Sequence, residues 1–233
     1  MQINFLESSK DLFPRKCSIF VIGTWKSFQK GFHKALIPSA HLQIFKETLK
    51  NPALGKMPST YTSVTGVADP HKIILSILPD RVSKDNSPSR REWIFQQMEA
   101  MEAEERGLVI ISVEDPLYLG GAITGIARRI REVNFKKNAK SKQIDILAVD
   151  PKGNIIEIDP SIRLLAQETA WACKVVDLPP NHLNPKVFTK EILGKFKGLT
   201  SVTCTEILGK NLVKVGLNGI YNVGKGAEEE PRM

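Results

Sequence analysis

At 233 residues, with 42% hydrophobic and 25% charged residues, the chain has the make-up of a folded globular protein. There is room for one large domain, or for one domain and part of a second. Its net charge of +8 invites a polyanionic partner, while three scattered cysteines, Cys17, Cys173 and Cys204, exclude a disulfide framework and a zinc spacing and point to a reducing, intracellular setting. The opening "MQINFLESSKDLFP" carries Glu7 and Asp11 where a secretion signal needs an apolar core, and "IILSILP" is far too short to span a bilayer.

In chain order, "CSIFVIG" (17–23) predicts a buried strand, and "PSAHLQIFKETLK" a helix with Leu42, Phe45 and Leu49 on one face. "TYTSVTGVA" and "KIILSIL", separated by Asp69-Pro70, predict a strand pair. Ser87 is placed to cap a helix opened by Pro88, with Ile94, Met98 and Met101 inward and Gly107 ending it. "LVIISV" predicts the next strand and "GGAITGIARRI" a small-residue helix able to lie close to a sheet. "QIDILAVD", the turn 151–154 and "IIEID" predict a hairpin. This alternation argues for an α/β fold with a mixed sheet over residues 1–158.

Asp159-Pro160 then caps a long helix, with Ile162, Leu165, Ala166, Thr169, Ala172, Cys173 and Val176 on its apolar face. After "LPPNHLNP", Asn184-Pro185 starts a new helix, "TSVTCTE" reads as a strand, "ILGKNLVKV" as a short helix, and the tail as a glycine-rich turn. Residues 177–233 are too few to enclose a core of their own, so an exposed apolar surface is expected there.

Catalytic constellations are hard to assemble from these residues. Gly219, Gly224 and Lys225 approach a phosphate-binding loop, but Gly226 stands at the obligatory hydroxyl position and Glu228, Glu229 and Glu230 follow. His33, His41, His71 and His182 have no ligand spacing to one another or to cysteine, and Cys173 lies on an apolar helix face. The acid pairs Glu104-Glu105 and Glu114-Asp115 accompany no nucleophile and base. The basic run Arg128, Arg129, Arg131, Lys136, Lys137, Lys140 and Lys142, with only Phe135 as an aromatic, reads as a helix end running into a solvated loop. Binding of nucleic-acid phosphates is its competing reading.

The C-terminal third resembles the leucine aminopeptidase family of dinuclear metallopeptidases. The residues that carry the likeness are "ETAWACKVVDLPPNHLNPKVFTKEI" and "VGLNGIYNVGKGAEEEPRM". Upstream, "RVSKDNSPSRREWI" is similar to the probable-aminopeptidase-like branch of that family. The resemblance implies a three-layer, macro-like α/β domain at 1–158 with a mixed sheet. A linker helix at 159–176 and the beginning of an M17-type catalytic domain at 177–233 would follow.

For the whole enzyme the resemblance implies release of N-terminal amino acids from peptides, two divalent metals (zinc or manganese) and a cytoplasmic homohexamer. Lys225 matches an earlier look-alike turn and not the family's metal-binding lysine, and the motif Asn-Thr-Asp-Ala-Glu-Gly-Arg does not occur in this sequence. The expectation is therefore a truncated, inactive chain with no catalytic, metal or cofactor-binding residue of its own. The alternative is a stand-alone module that binds ADP-ribose or another nucleotide where Gly120-Gly121 opens a helix, or nucleic acid through 128–142.

Overall fold

In the computed structural model, residues 2–10, 12, 18–50, 55–66, 70–83, 87–100, 106–130 and 143–233 are described. Cys17, Met101, Glu104, Glu105 and the basic run from Arg131 to Lys142 lie outside them. The chain divides into two compact units, Met1–Lys174 and Val175–Met233.

The first unit is built on six strands: β1 (Gln2–Phe5), β2 (Ser18–Thr24), β3 (Ser59–Val64), β4 (Lys72–Leu78), β5 (Arg106–Ser112) and β6 (Gln143–Val149). They lie in the order β1-β6-β5-β2-β4-β3; all neighbours are parallel except β3 and β4. Strands covered on both faces need apolar residues at every position and not only alternate ones, which is why β2, β4 and β5 read as unbroken aliphatic runs. Phe20, Ile22, Val109, Ile111 and Ile146 face one side, where they meet Ile94 of α3 (Arg91–Gln97), Met98 in the turn after it, and Ala122, Ile123 and Ile126 of α4 (Leu119–Arg129). Ile19, Val21, Leu75, Ile77 and Ile110 face the other, against Phe28 of α1 (Trp25–Lys30), Phe45 of α2 (Leu42–Thr48) and Phe32 between them.

Small residues set how closely α3 and α4 approach. A Cβ at Gly125 would fall 2.6 Å from Arg91 O, and one at Gly121 2.6 Å from the side chain of Ser89. The small-residue character of "GGAITGIA" therefore serves contact with the neighbouring helix as well as with the sheet.

Several local expectations are corrected. Ser87 and Pro88 form a turn, and α3 starts three residues later, after Arg90, which adopts a left-handed backbone (φ 51°) and gives no side-chain cap. Gly107 does not end that helix; it pairs with Ser18 and Ile144 inside β5. The expected hairpin after β6 shrinks to one bridge, Val149 with Ile155, because Asp150 closes the turn onto Asn154 and the chain then leaves for the next helix. β1 and α1 were not anticipated.

α5 (Pro160–Asp177) starts as expected, Asp159 accepting from Ser161 N at 2.7 Å. Arg163 ties it to β1: its guanidinium donates to Glu7 at 2.7 Å and lies over Phe5 at 5.4 Å. The predicted apolar face is partly rotated, with Ala166 and Val175 buried and Val176 exposed.

In the second unit, Asn184 caps α6 (Pro185–Phe196), accepting from Val187 N at 2.9 Å. α7 (Asn211–Lys214) and α8 (Asn218–Gly224) follow. "TSVTCTE" forms no strand, because no second strand in this unit offers it a ladder; the sole bridge described there joins Leu208 to Arg232. The glycine-rich tail is not a turn at first but helix α8, and Gly224 is required by contact, since a Cβ there would lie 2.5 Å from Pro231.

Candidate functional site

In a parallel sheet, ligand sites form at the carboxyl ends of strands where connections leave in opposite directions. Here the chain leaves β2 toward β3 and β4, then returns across β2 to add β5 and β6 on the other side. The switch point therefore lies between Thr24, the last residue of β2, and the end of β5.

Arg90 fills that position. It is 5% exposed, and its guanidinium donates to Pro79 O (2.6 Å), Pro88 O (2.7 Å) and Asp80 O (3.1 Å), and to the Glu114 carboxylate (3.2 Å). Glu114 accepts a second bond from Thr24 Oγ1 at 2.9 Å, so one carboxylate joins the end of β2 to the arginine. The space left among Thr24, Arg90, Glu114 and Tyr118 is about 10 Å³. That is room for about one water, where a small-molecule site needs roughly 300 Å³ or more. Chemically the arrangement is an ion pair with Arg90 buried and Glu114 partly exposed, and the space between them is too small for more than about one water.

The helix N-terminus next to it is also occupied. Gly120 and Gly121 do open α4, but Ser89 packs against Gly121, and Asp115 uses its carboxylate to cap the turn before the helix, accepting from Leu117 N at 2.9 Å. At the other end of α4, Arg128 pairs with Glu92 at 2.7 Å and lies 4.4 Å over Phe95, while Arg129 pairs with Glu99 at 3.0 Å. These two arginines are engaged by α3 and the turn that follows it. The remaining basic residues of that run lie outside the described residues.

The histidines are dispersed. His33 is buried among Phe28, Phe32 and Phe45, stacked on the last at 4.9 Å, and His71 stands by Ser18 at 3.4 Å. Among the described residues no three His, Cys, Asp or Glu side chains gather as a metal site would require. Lys225 follows the end of α8 and its Nζ donates to Asn222 at 3.0 Å; Gly219 and Gly224 are helical and form no phosphate-cradling loop. Among the described residues, no side-chain cluster fits a dinuclear metal centre.

The second unit has two open apolar hollows. One, about 450 Å³, is lined by Ile220, Val223, Ala227 and Pro231; the other, about 500 Å³, by Phe188, Ile192, Leu193, Cys204 and Met233. Arg232 borders both and is held by Glu206 at 2.8 Å. Phe188, Leu193, Phe196, Leu199 and Val223 are all exposed, in keeping with the expected apolar surface.

No protein-family model matches the chain. Among curated proteins it is 26% identical over 168 residues to probable aminopeptidase NPEPL1 of Mus musculus, which spans 68% of this chain and 32% of that protein. It is 28% identical over 185 residues to a probable cytosol aminopeptidase of Mycobacterium sp. (strain JLS), spanning 72% and 35%. The chain thus spans about a third of the length of these relatives.

Among solved structures, leucyl aminopeptidase from Trypanosoma brucei in complex with bestatin superposes with TM-score 0.74 at 22% identity, over 99% of this chain and 47% of the other. Leucine aminopeptidase of Caenorhabditis elegans gives 0.71 at 19%, over 100% and 47%. No helix among the described residues is long and apolar enough to cross a membrane. In sequence and in fold, the chain resembles the N-terminal part of the leucine aminopeptidases.

Proposed function

We propose that these residues form the architectural, N-terminal portion of a leucyl-aminopeptidase-like metallopeptidase of the cytoplasm. Residues 1–158 would be its macro-like domain, 159–176 the linker helix and 177–233 the opening of an M17-type catalytic domain. The whole enzyme would release N-terminal amino acids from peptides as a homo-oligomer, a hexamer in the family. Its two zinc or manganese ions would be held by residues that this sequence does not contain. The chain by itself then has no peptidase activity.

The observation that carries this reading is the pairing of full coverage on one side with half coverage on the other. Nearly all of this chain superposes on leucyl aminopeptidases, yet it accounts for only 47% of the Trypanosoma brucei chain. The names of the relatives, cytosol aminopeptidases among them, support the activity class and the compartment. Equilibrium dialysis of residues 1–233 against Mn²⁺ or Zn²⁺ at about 10 µM is the test. The reading expects well under one tightly held ion per chain, whereas two per chain would refute it.

A further inference from the structure

Among the described residues the sheet ends in two edge strands, β1 and β3. An edge leaves every second residue's N–H and C=O without a ladder partner, and proteins usually blunt it with charge, proline, a bulge or a covering loop. β3 reads Ser-Thr-Tyr-Thr-Ser-Val, with neither charge nor proline, and its register with β4 is unbroken from Ser59↔Ile77 to Val64↔Lys72. Thr65 N donates to His71 O at 3.0 Å, which sets the phase of the ladder. Odd-numbered residues therefore exchange bonds with β4, and the backbone groups of Thr60, Thr62 and Val64 point away from the sheet. Those same residues are exposed, Val64 by 81%, while Tyr61 packs on the core and holds the strand in place.

We infer that β3 is a docking edge for a second copy of this chain, the two strands pairing antiparallel about a two-fold axis at Thr62. Parity fixes the register, because only outward-facing residues can exchange hydrogen bonds across the axis. Thr62 meets Thr62 of the partner subunit, and Thr60 meets Val64 of the partner subunit, giving about six backbone bonds. A two-fold contact must complement itself. This one does: it brings together neutral, β-branched and hydroxyl side chains with no like charges opposed, and Thr60 shields the exposed Val64 methyls. One strand per copy is a small contact, so the dimer is weak, with a Kd on the order of tens of micromolar. The inference rests on the sheet alone and not on the aminopeptidase reading.

Sedimentation equilibrium of the 233-residue chain from about 5 to about 300 µM tests it. A monomer–dimer equilibrium is expected. Thr62→Lys, which opposes two like charges at the axis, should weaken it at least about tenfold, while Val82→Lys in an exposed loop leaves it unchanged. Under mild oxidation Thr62→Cys should give a covalent dimer, since Cα atoms across such a pair are ~5.5 Å apart, and Val82→Cys should not. Thr62 is exposed, so the cysteine variant keeps the fold and decides the matter even if the lysine variant is unstable. A chain that stays monomeric, a dimer indifferent to Thr62→Lys in a folded variant, or equal cross-linking through Val82→Cys each overturns the inference.

Discussion

His33 is 4% exposed inside a cluster of three phenylalanines, and its Nδ1 has no hydrogen-bond partner. Burial, with a smaller contribution from the Lys34 charge, lowers its pKa from 6.5 to about 4. The unfolded chain therefore binds a proton near pH 6.5 that the folded chain refuses until about pH 4. Stability is then full above pH 6.5, falls as the pH drops through that window, and levels off below it; the loss from this group is about 3 kcal/mol. Urea unfolding at a series of pH values should show the decline, and His33→Leu should flatten it. Arg90 makes a different demand. Arg90→Ala would strand three carbonyls and the Glu114 carboxylate, for a cost of about 2–4 kcal/mol. Glu114→Gln keeps the packing, and because Glu114 is partly exposed it should cost no more than about 1 kcal/mol. Comparing the denaturant midpoints of the two variants checks the asymmetry.

Between α3 and α4 the controlling dimension is the missing Cβ. Gly125→Ala would press a methyl against Arg91 O and should destabilise by about 1–3 kcal/mol. Gly120→Ala, whose nearest neighbour is Ile162 Cγ1 at 3.9 Å, should be neutral or stabilise by up to about 1 kcal/mol. Thermal unfolding of the pair gives opposite signs if the helices are held where they lie. At this scale the sequence was informative wherever one residue class runs unbroken: "IFVIG", "IILSIL", "LVIIS" and "IDILAV" all became parallel strands. It misled where a local signal had no tertiary support. "TSVTCTE" has strand composition but lacks a partner, and Ser87-Pro88 has the chemistry of a helix start while Arg90 takes a left-handed turn that delays it. β1 was missed because four residues carry too little pattern. The Arg90–Glu114 pair was illegible for a related reason: two charges 24 residues apart look like ordinary surface residues until the sheet's crossover brings them together.

Across the whole molecule, the first unit carries two apolar layers on one sheet, whereas the second leaves large apolar side chains in solvent. Such a surface suits the proposed reading, in which these residues are part of a larger body. The direct check is a peptidase assay on purified residues 1–233, with a leucine-based chromogenic peptide and added manganese. No turnover above the metal-only control is expected. Turnover that a chelator abolishes and manganese restores would contradict the account, because it would place the catalytic metal centre within these residues.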